Sequence, residues 1–302
     1  MLRCSRTGDC PAGLFAASLQ ITWANTMLDL SNLQIGLLIA SLLFTGVVAG
    51  ILAGLLGVGG GIVIVPVLFW IFGLLALPAA TSMHLAVGSS LATIIATSWA
   101  SMRAHRRRGS VDESLLRRWG PAIFVGAAIG GVAAKFINGD GLRLIFGVIA
   151  LLVAINMALP RQLKVSDALP KSGLANRAIA AVIGLFSALM GIGGGTLSVP
   201  TLTAFSFPIH RAVGTASVIG MLIAIPAVAG FIWSGLGVPQ RPPLSLGYVS
   251  LPAAALIFPM TMMMAPIGVK LAHRLNQRRL KIAFAVFLFI TALRMLYTVI
   301  DR

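Results

Sequence analysis

"GVGGGIVIVP", Gly57 to Pro66, closes one apolar arm and opens another, and "GIGGGTLSVP", Gly191 to Pro200, does the same 134 residues later (191 minus 57). Each phrase is followed by a second shared one, "HLAVGSS" from His84 and "HRAVGTAS" from His210. A third echo ends each half: "LRLIFGVIALLVAINM" from Leu142 against "LKIAFAVFLFITALRM" from Leu280. Three matches in one order mark an internal duplication.

With 58% hydrophobic and 10% charged residues and a mean hydropathy of +0.97, the chain belongs in a bilayer. No Lys, Arg, Asp or Glu occurs between Leu30 and Met102, and roughly 20 apolar residues suffice for one helical crossing. The formal charge of +16 sits in loops between apolar runs, with few aromatics beside it. That pattern is topology control rather than nucleic-acid recognition. Cys4 and Cys10 are the only cysteines, so no disulfide framework, metal cluster or cofactor is expected.

The expected fold is an all-α integral membrane protein of two five-segment repeats, each with a Gly-rich broken helix or hairpin. Residues 1–30 are a leader, 31–160 the first repeat, 161–177 a cytoplasmic linker and 178–302 the second repeat. Loop charge orients them, because short loops rich in Lys and Arg stay cytoplasmic. "RAHRRRGSVDESLLRR", Arg103 to Arg118, the linker with Arg161, Lys164, Lys171 and Arg177, and "HRLNQRRLK", His273 to Lys281, are the basic loops. All three fall on one side only if the uncharged stretch from Ala178 to His210 is a hairpin. The basic loop then follows the third segment in one half and the fourth in the other. The halves are expected to be inverted, with both termini outside, which is the recurring plan of secondary transporters.

At a hairpin tip in hydrocarbon, peptide groups outside the helical ladder must meet protein, water or a ligand. Gly57, Gly59, Gly60 and Gly61, with Gly191, Gly193, Gly194 and Gly195, allow close approach, and the amides that open the next arm suit an anion. Equally, such glycines permit tight helix crossings. Pro66 and Pro200 are the helix-breaking positions that follow. The lysine and hydroxyl that a nucleotide loop places after its final glycine are missing, with Ile62 and Thr196 in the lysine's place.

His84 and His210 lead the second phrase, and Gly88, Ser89, Ser90, Gly214, Thr215 and Ser217 follow. These residues offer hydroxyls and a titratable ring to an oxyanion, or mark segment starts at the rim. Arg294 either snorkels or lines the pathway. Trp23, Trp70, Trp99, Trp119 and Trp233 are expected as interface anchors. The seven acidic residues, Asp9, Asp29, Asp112, Glu113, Asp140, Asp167 and Asp301, all fall in the leader, loops or terminus. A cation would lack a countercharge at the midplane, which favours an anion.

These phrases resemble the sulfite exporter TauE/SafE family of inner-membrane permeases over about Gln34 to Tyr297. The matching residues are Gly57, Gly59, Gly60, Gly61, Pro66, Ala86, Gly88 and Ser89, and in the second half Gly191, Gly193, Gly194, Gly195, Pro200, Ala212, Gly214 and Thr215. The resemblance implies movement of sulfite or a related sulfur-containing or organic anion across a bacterial inner membrane. The stretch from Gly73 to Ser82 is longer than its second-half counterpart and alters the outer mouth. The expected partners are a small anionic solute and the lipid bilayer. The competing reading is a non-transporting membrane protein, an embedded enzyme or assembly factor. The segments supply only lone His, Ser and Thr residues for chemistry, so no enzyme is expected.

Overall fold

Local sequence signals set the helix ends of this computed structural model, which describes residues 31–75, 77–159, 166, 169–170, 172–238, 241–242, 244–271 and 277–300. The expectations for the leader with Cys4, Cys10 and Trp23, for Arg161, Lys164 and Lys171, and for His273 and Arg274 lie outside these residues.

The order is α1 (Asn32–Leu56), α2 (Gly61–Leu74), α3 (Ala79–Arg106), α4 (Glu113–Ala133) with a 3-10 turn (Ala134–Phe136), and α5 (Gly139–Ala158). The second half follows with α6 (Gly173–Met190), α7 (Gly195–Ala204), α8 (Ile209–Gly235), a two-stranded ribbon of β1 (Ser245–Leu246) and β2 (Val249–Ser250), α9 (Leu251–Leu271) and α10 (Gln277–Ile300). Seven of these helices are long and apolar enough to cross a membrane. The ten helices fall where the apolar runs place them.

Side-chain caps start four of them. Ser31 and Gln34 form a reciprocal box at α1, and Asp112, Asn138 and Ser172 cap α4, α5 and α6. Each satisfies amides that the first helical turn leaves free. Gly57 and Gly191 end α1 and α6 with φ of 67° and 68°. A left-handed residue there costs a side chain dearly and glycine little, so the chain turns where the glycines stand.

Helix α3 packs on α8 at the centre, flanked by α9 and α4; α1 packs on α9, α4 on α6, and α5 on α10. Exchanging α1–α5 with α6–α10 turns the α1–α9 pair into the α6–α4 pair and leaves α3–α8 unchanged. The duplication is therefore a duplication of packing partners. Burial follows: 72% and 67% of the apolar windows of α3 and α8 are buried, against 44% or less for the others. Helices α3 and α8 are the pillars, and the other five spanning helices leave more than half of their apolar windows unburied.

Both ends of the α6–α7 excursion lie at the same end of the bundle. Asn176 on α6 accepts from the indole of Trp119 near the start of α4, and the Ala204 carbonyl at the end of α7 accepts from the Ser166 amide before α6. The hairpin that the charge pattern requires is present. Trp119 departs from expectation, being fully buried. Its N–H is needed across the α4–α6 contact, so it clips helices together instead of sitting at the interface.

Small residues make the outer pairings close. A methyl added to Gly50 would lie 2.7 Å from the Thr261 carbonyl oxygen, and one on Gly54 would clash with the Ala265 carbonyl. The repeat-equivalent pairing has Gly126 against Ala181 and Gly184 against Ile123. Without a hydrophobic drive between helices in lipid, this backbone proximity is what associates them. Valine at Gly54 or Gly126 is expected to cost more than the about 1–3 kcal/mol typical of overpacking, because the clash is with backbone. Thermal unfolding in detergent checks it: a valine variant as stable as the parent at either position refutes this account.

Candidate functional site

The two glycine turns meet back to back. A methyl on Gly59 would lie 3.2 Å from the Gly193 Cα, and one on Gly193 would lie 3.1 Å from the Gly59 Cα. The C-terminal carbonyls cross over: Gly57 O abuts Gly195 at the start of α7, and Gly191 O abuts Gly61 at the start of α2. Ser90 on α3 donates to that Gly191 carbonyl at 2.8 Å. Three glycines of one phrase thus meet three of the other, while Gly60 faces Ala49 on α1 and Gly194 faces Ile219 on α8, and their first task is close approach.

The "AVG" phrases complete the same stack. Val213 presents its carbonyl to Gly57, and Val87 packs its Cα against Gly191. One residue further on, Gly214 receives the Ser110 carbonyl and Gly88 the Tyr248 carbonyl. The next hydroxyl accepts an amide: Thr215 Oγ1 from Asp112 N–H at 2.9 Å, Ser89 Oγ from Ser250 N–H at 2.8 Å. Each half therefore latches the segment that precedes the other half's fourth helix. Ser217 donates to its own helix, at the Gly214 carbonyl.

A family description, "Sulfite exporter TauE/SafE", matches residues 42–295. The chain belongs to this family. A probable membrane transporter protein of Haemophilus influenzae is 34% identical over 256 residues, 84% of this chain and 96% of that one. Another from Methanocaldococcus jannaschii is 29% identical over 269 residues, 86% and 96% respectively. A third, from Bacillus subtilis, is 29% identical over 217 residues, 64% of this chain and 78% of that one. No solved structure matches. The protein is a multi-pass membrane transporter of the TauE/SafE family.

Within this TauE/SafE frame the two turns differ chemically. Ile62 and Ile64 open α2, where the equivalent positions of α7 carry Thr196 and Ser198. All four are buried. Neither α2 nor α7 has a side-chain cap. Among the described residues the hydroxyls of Thr196 and Ser198 have no hydrogen-bond partner, and neither does Ser98 on α3. A methyl on Gly220 would sit 2.6 Å from Ser98 Oγ and 3.5 Å from the Gly194 nitrogen. Gly220 therefore lets α8 approach Ser98 and the positive end of α7 so closely that no side chain fits between them. Pro66 and Pro200, each inside its helix, withhold an amide from the carbonyls of Ile62 and Thr196 four residues back.

Ser98 and Ser101 extend a hydroxyl-bearing run on α3 that the shared phrases cut off at Ser90. Thr93 and Thr97 belong to it but bond carbonyls of their own helix, Ser90 O at 2.7 Å and Thr93 O at 2.8 Å. The three- and four-residue spacing of these hydroxyls was the readable signal.

The histidines are not at the turns. His84 Nδ1 faces the Ala80 carbonyl at 2.9 Å, Nε2 faces those of Ala134 and Ile137 at 3.1 and 3.0 Å, and the ring stacks on Tyr248 at 4.6 Å. It ties the start of α3 to the end of α4. His210 is exposed at the start of α8. Asp140 lies in the first turn of α5, where it pairs with buried Arg143. Glu113 opens α4 and pairs with Arg106 at 3.0 Å. The described carboxylates are thus all at helix ends.

Asp112 is the charged part of one latch. Burial raises its pKa, but the Leu115 amide, the Ser114 hydroxyl and the Arg211 guanidinium together outweigh that and hold the carboxyl below the ordinary aspartate value. A depressed carboxyl contributes stability above its unfolded pKa and loses it as pH falls through the folded one. This latch is therefore expected to hold from neutral to mildly acidic pH and to loosen only below the ordinary aspartate range. Replacing Thr215 by Val leaves the Asp112 amide unmet, a cost of about 1–3 kcal/mol at any pH. Hydrogen-exchange protection of residues 110–116, corrected for intrinsic rates, reads both effects. Equal protection in parent and variant would contradict the assigned bond.

Proposed function

We propose that the protein is a secondary transporter of small anions across a bacterial inner membrane, with the solute held at the N-terminus of α7. The carrying observation is the concentration of unsatisfied donors there. The uncapped α7 start and Ser98 both lie against Gly220 and Thr196 stands in the first turn of α7, and buried hydroxyls without partners are costly unless a ligand takes them up. The absence of a described carboxylate from this place suits a negative solute. Membership of the TauE/SafE family supports sulfite or a related sulfur-containing or organic anion.

Alternating access follows from the latches on this reading. Each latch lies just beyond one turn of the stack, at opposite ends of the α3–α8 pair. Releasing Ser110–Asp112 from Gly214 and Thr215 opens the stack toward the Arg103–Arg118 loop; releasing Tyr248–Ser250 from Gly88 and Ser89 opens it the other way. The two halves are then inverted copies acting in turn.

In proteoliposomes, labelled sulfite is expected to exchange by counterflow. Ser98→Ala and Thr196→Val each slow it about tenfold, the equivalent of about 1.4 kcal/mol and in the range of one lost hydrogen bond to a charged group. No exchange of sulfite, sulfoacetate, thiosulfate or small carboxylates by the parent protein would defeat the transport reading. Exchange unaffected by both substitutions would instead move the site elsewhere. Ser89→Ala and Thr215→Val weaken opposite latches, so they are expected to raise thiol labelling of the α3–α8 core from opposite faces. The same face opening in both would refute the latch assignment.

A further inference from the structure

Arg294 and the aromatic end of α2 play no part in the α7 site. Phe69, Trp70, Leu74, Leu77, Ser82 and Arg294 line an open cavity of about 440 Å³ between α2, the start of α3 and α10, with Leu74 and Arg294 exposed at its mouth. It lies at the end of α3 away from Arg106, the face opposite the Arg103–Arg118 loop. The Arg294 guanidinium stands 4.6 Å from the centre of the Trp70 ring. Among the described residues no carboxylate pairs with it.

Arg143 provides the contrast. Its guanidinium stands 5.4 Å from the Phe69 ring, and its charge is met by Asp140. Of the two cations beside these adjacent aromatics, one is neutralised and one is not. The Ser82 hydroxyl is already committed to the Leu77 and Pro78 carbonyls at 3.2 and 3.0 Å. The cavity therefore offers one unpaired cation against apolar walls.

We infer that this cavity binds a small amphipathic anion, a sulfonate or carboxylate head on an apolar body of a few carbons. A guanidinium lying on an indole keeps its N–H edge for an oxyanion, and its planar fork matches two oxygens at once. A bare oxyanion would leave the walls unoccupied, whereas this volume is in the range of sites for whole organic ligands. A lipid is the poorer occupant. The α2 wall runs only from Phe69 to Leu74, about 9 Å at 1.5 Å per residue, against about 15 Å for half of the hydrocarbon thickness. The site stands whether or not the α7 terminus carries solute.

The test is calorimetric titration of butane-1-sulfonate into the full-length protein in nanodiscs of zwitterionic lipid, with no gradient imposed. Saturable binding is expected, weakened at least tenfold by Arg294→Gln, partly recovered by Arg294→Lys, and weakened several-fold by Trp70→Leu. Butyltrimethylammonium, the same body with the opposite charge, is expected not to compete. Parent-like binding by Arg294→Gln, or no saturable binding by the parent, overturns the inference. Loss of binding when phosphatidylglycerol is added to the nanodisc also overturns it, giving the cavity to a lipid headgroup. Because binding is read without transport, failure here and failure of sulfite counterflow are separate results.

Discussion

A peptide group that leaves the helical ladder inside hydrocarbon has to be covered by something other than lipid, and here the cover is another stretch of main chain. Gly57 lies against Val213, Gly195 against Gly57, Gly61 against Gly191, and Gly191 against Val87. The column continues through Gly214 to Ser110 on one side and through Gly88 to Tyr248 on the other. Nearly every link joins one half to the other. Most positions in the column cannot carry a side chain, which is why the sequence spells the same glycines twice.

The duplication supplied two equivalent turns, and they have diverged. The α2 start is sealed with isoleucine; the α7 start keeps the hydroxyls of Thr196 and Ser198, with Ser98 close by across Gly220. Ser90, which faces the α2 start, spends its hydroxyl on the Gly191 carbonyl. One turn serves as a bearing surface and the other retains unmet donors. The anion site proposed above, at one of two related turns, therefore needs no symmetry of its own.

Much of this was legible from the chain. Segment number, the α6–α7 hairpin and the meeting of the glycine phrases followed from apolar length, loop charge and repetition, because those are the terms that lipid imposes most strictly. Trp119 reads as an interface anchor and is instead a buried clip, since an indole near a segment end is equally at home at the interface and across a helix contact. His84 and His210 read alike but differ, because what surrounds each comes from distant elements: three carbonyls and Tyr248 for one, an exposed helix start for the other. Ser98 went unnoticed because its first-half context is matched by alanine, Ala224, in the second. Repeat matching finds what the halves share and is blind to what they have divided between them.

The latches are made almost wholly of peptide atoms, with one hydroxyl at each. Trimming side chains one by one would therefore pass over these joints and report them as tolerant. Their vulnerability runs the other way, toward added bulk: a single extra methyl at Gly88 or Gly214 wedges the joint. In a molecule joined like this, the smallest residues carry the constraint, and gain of substance rather than loss is what disables it.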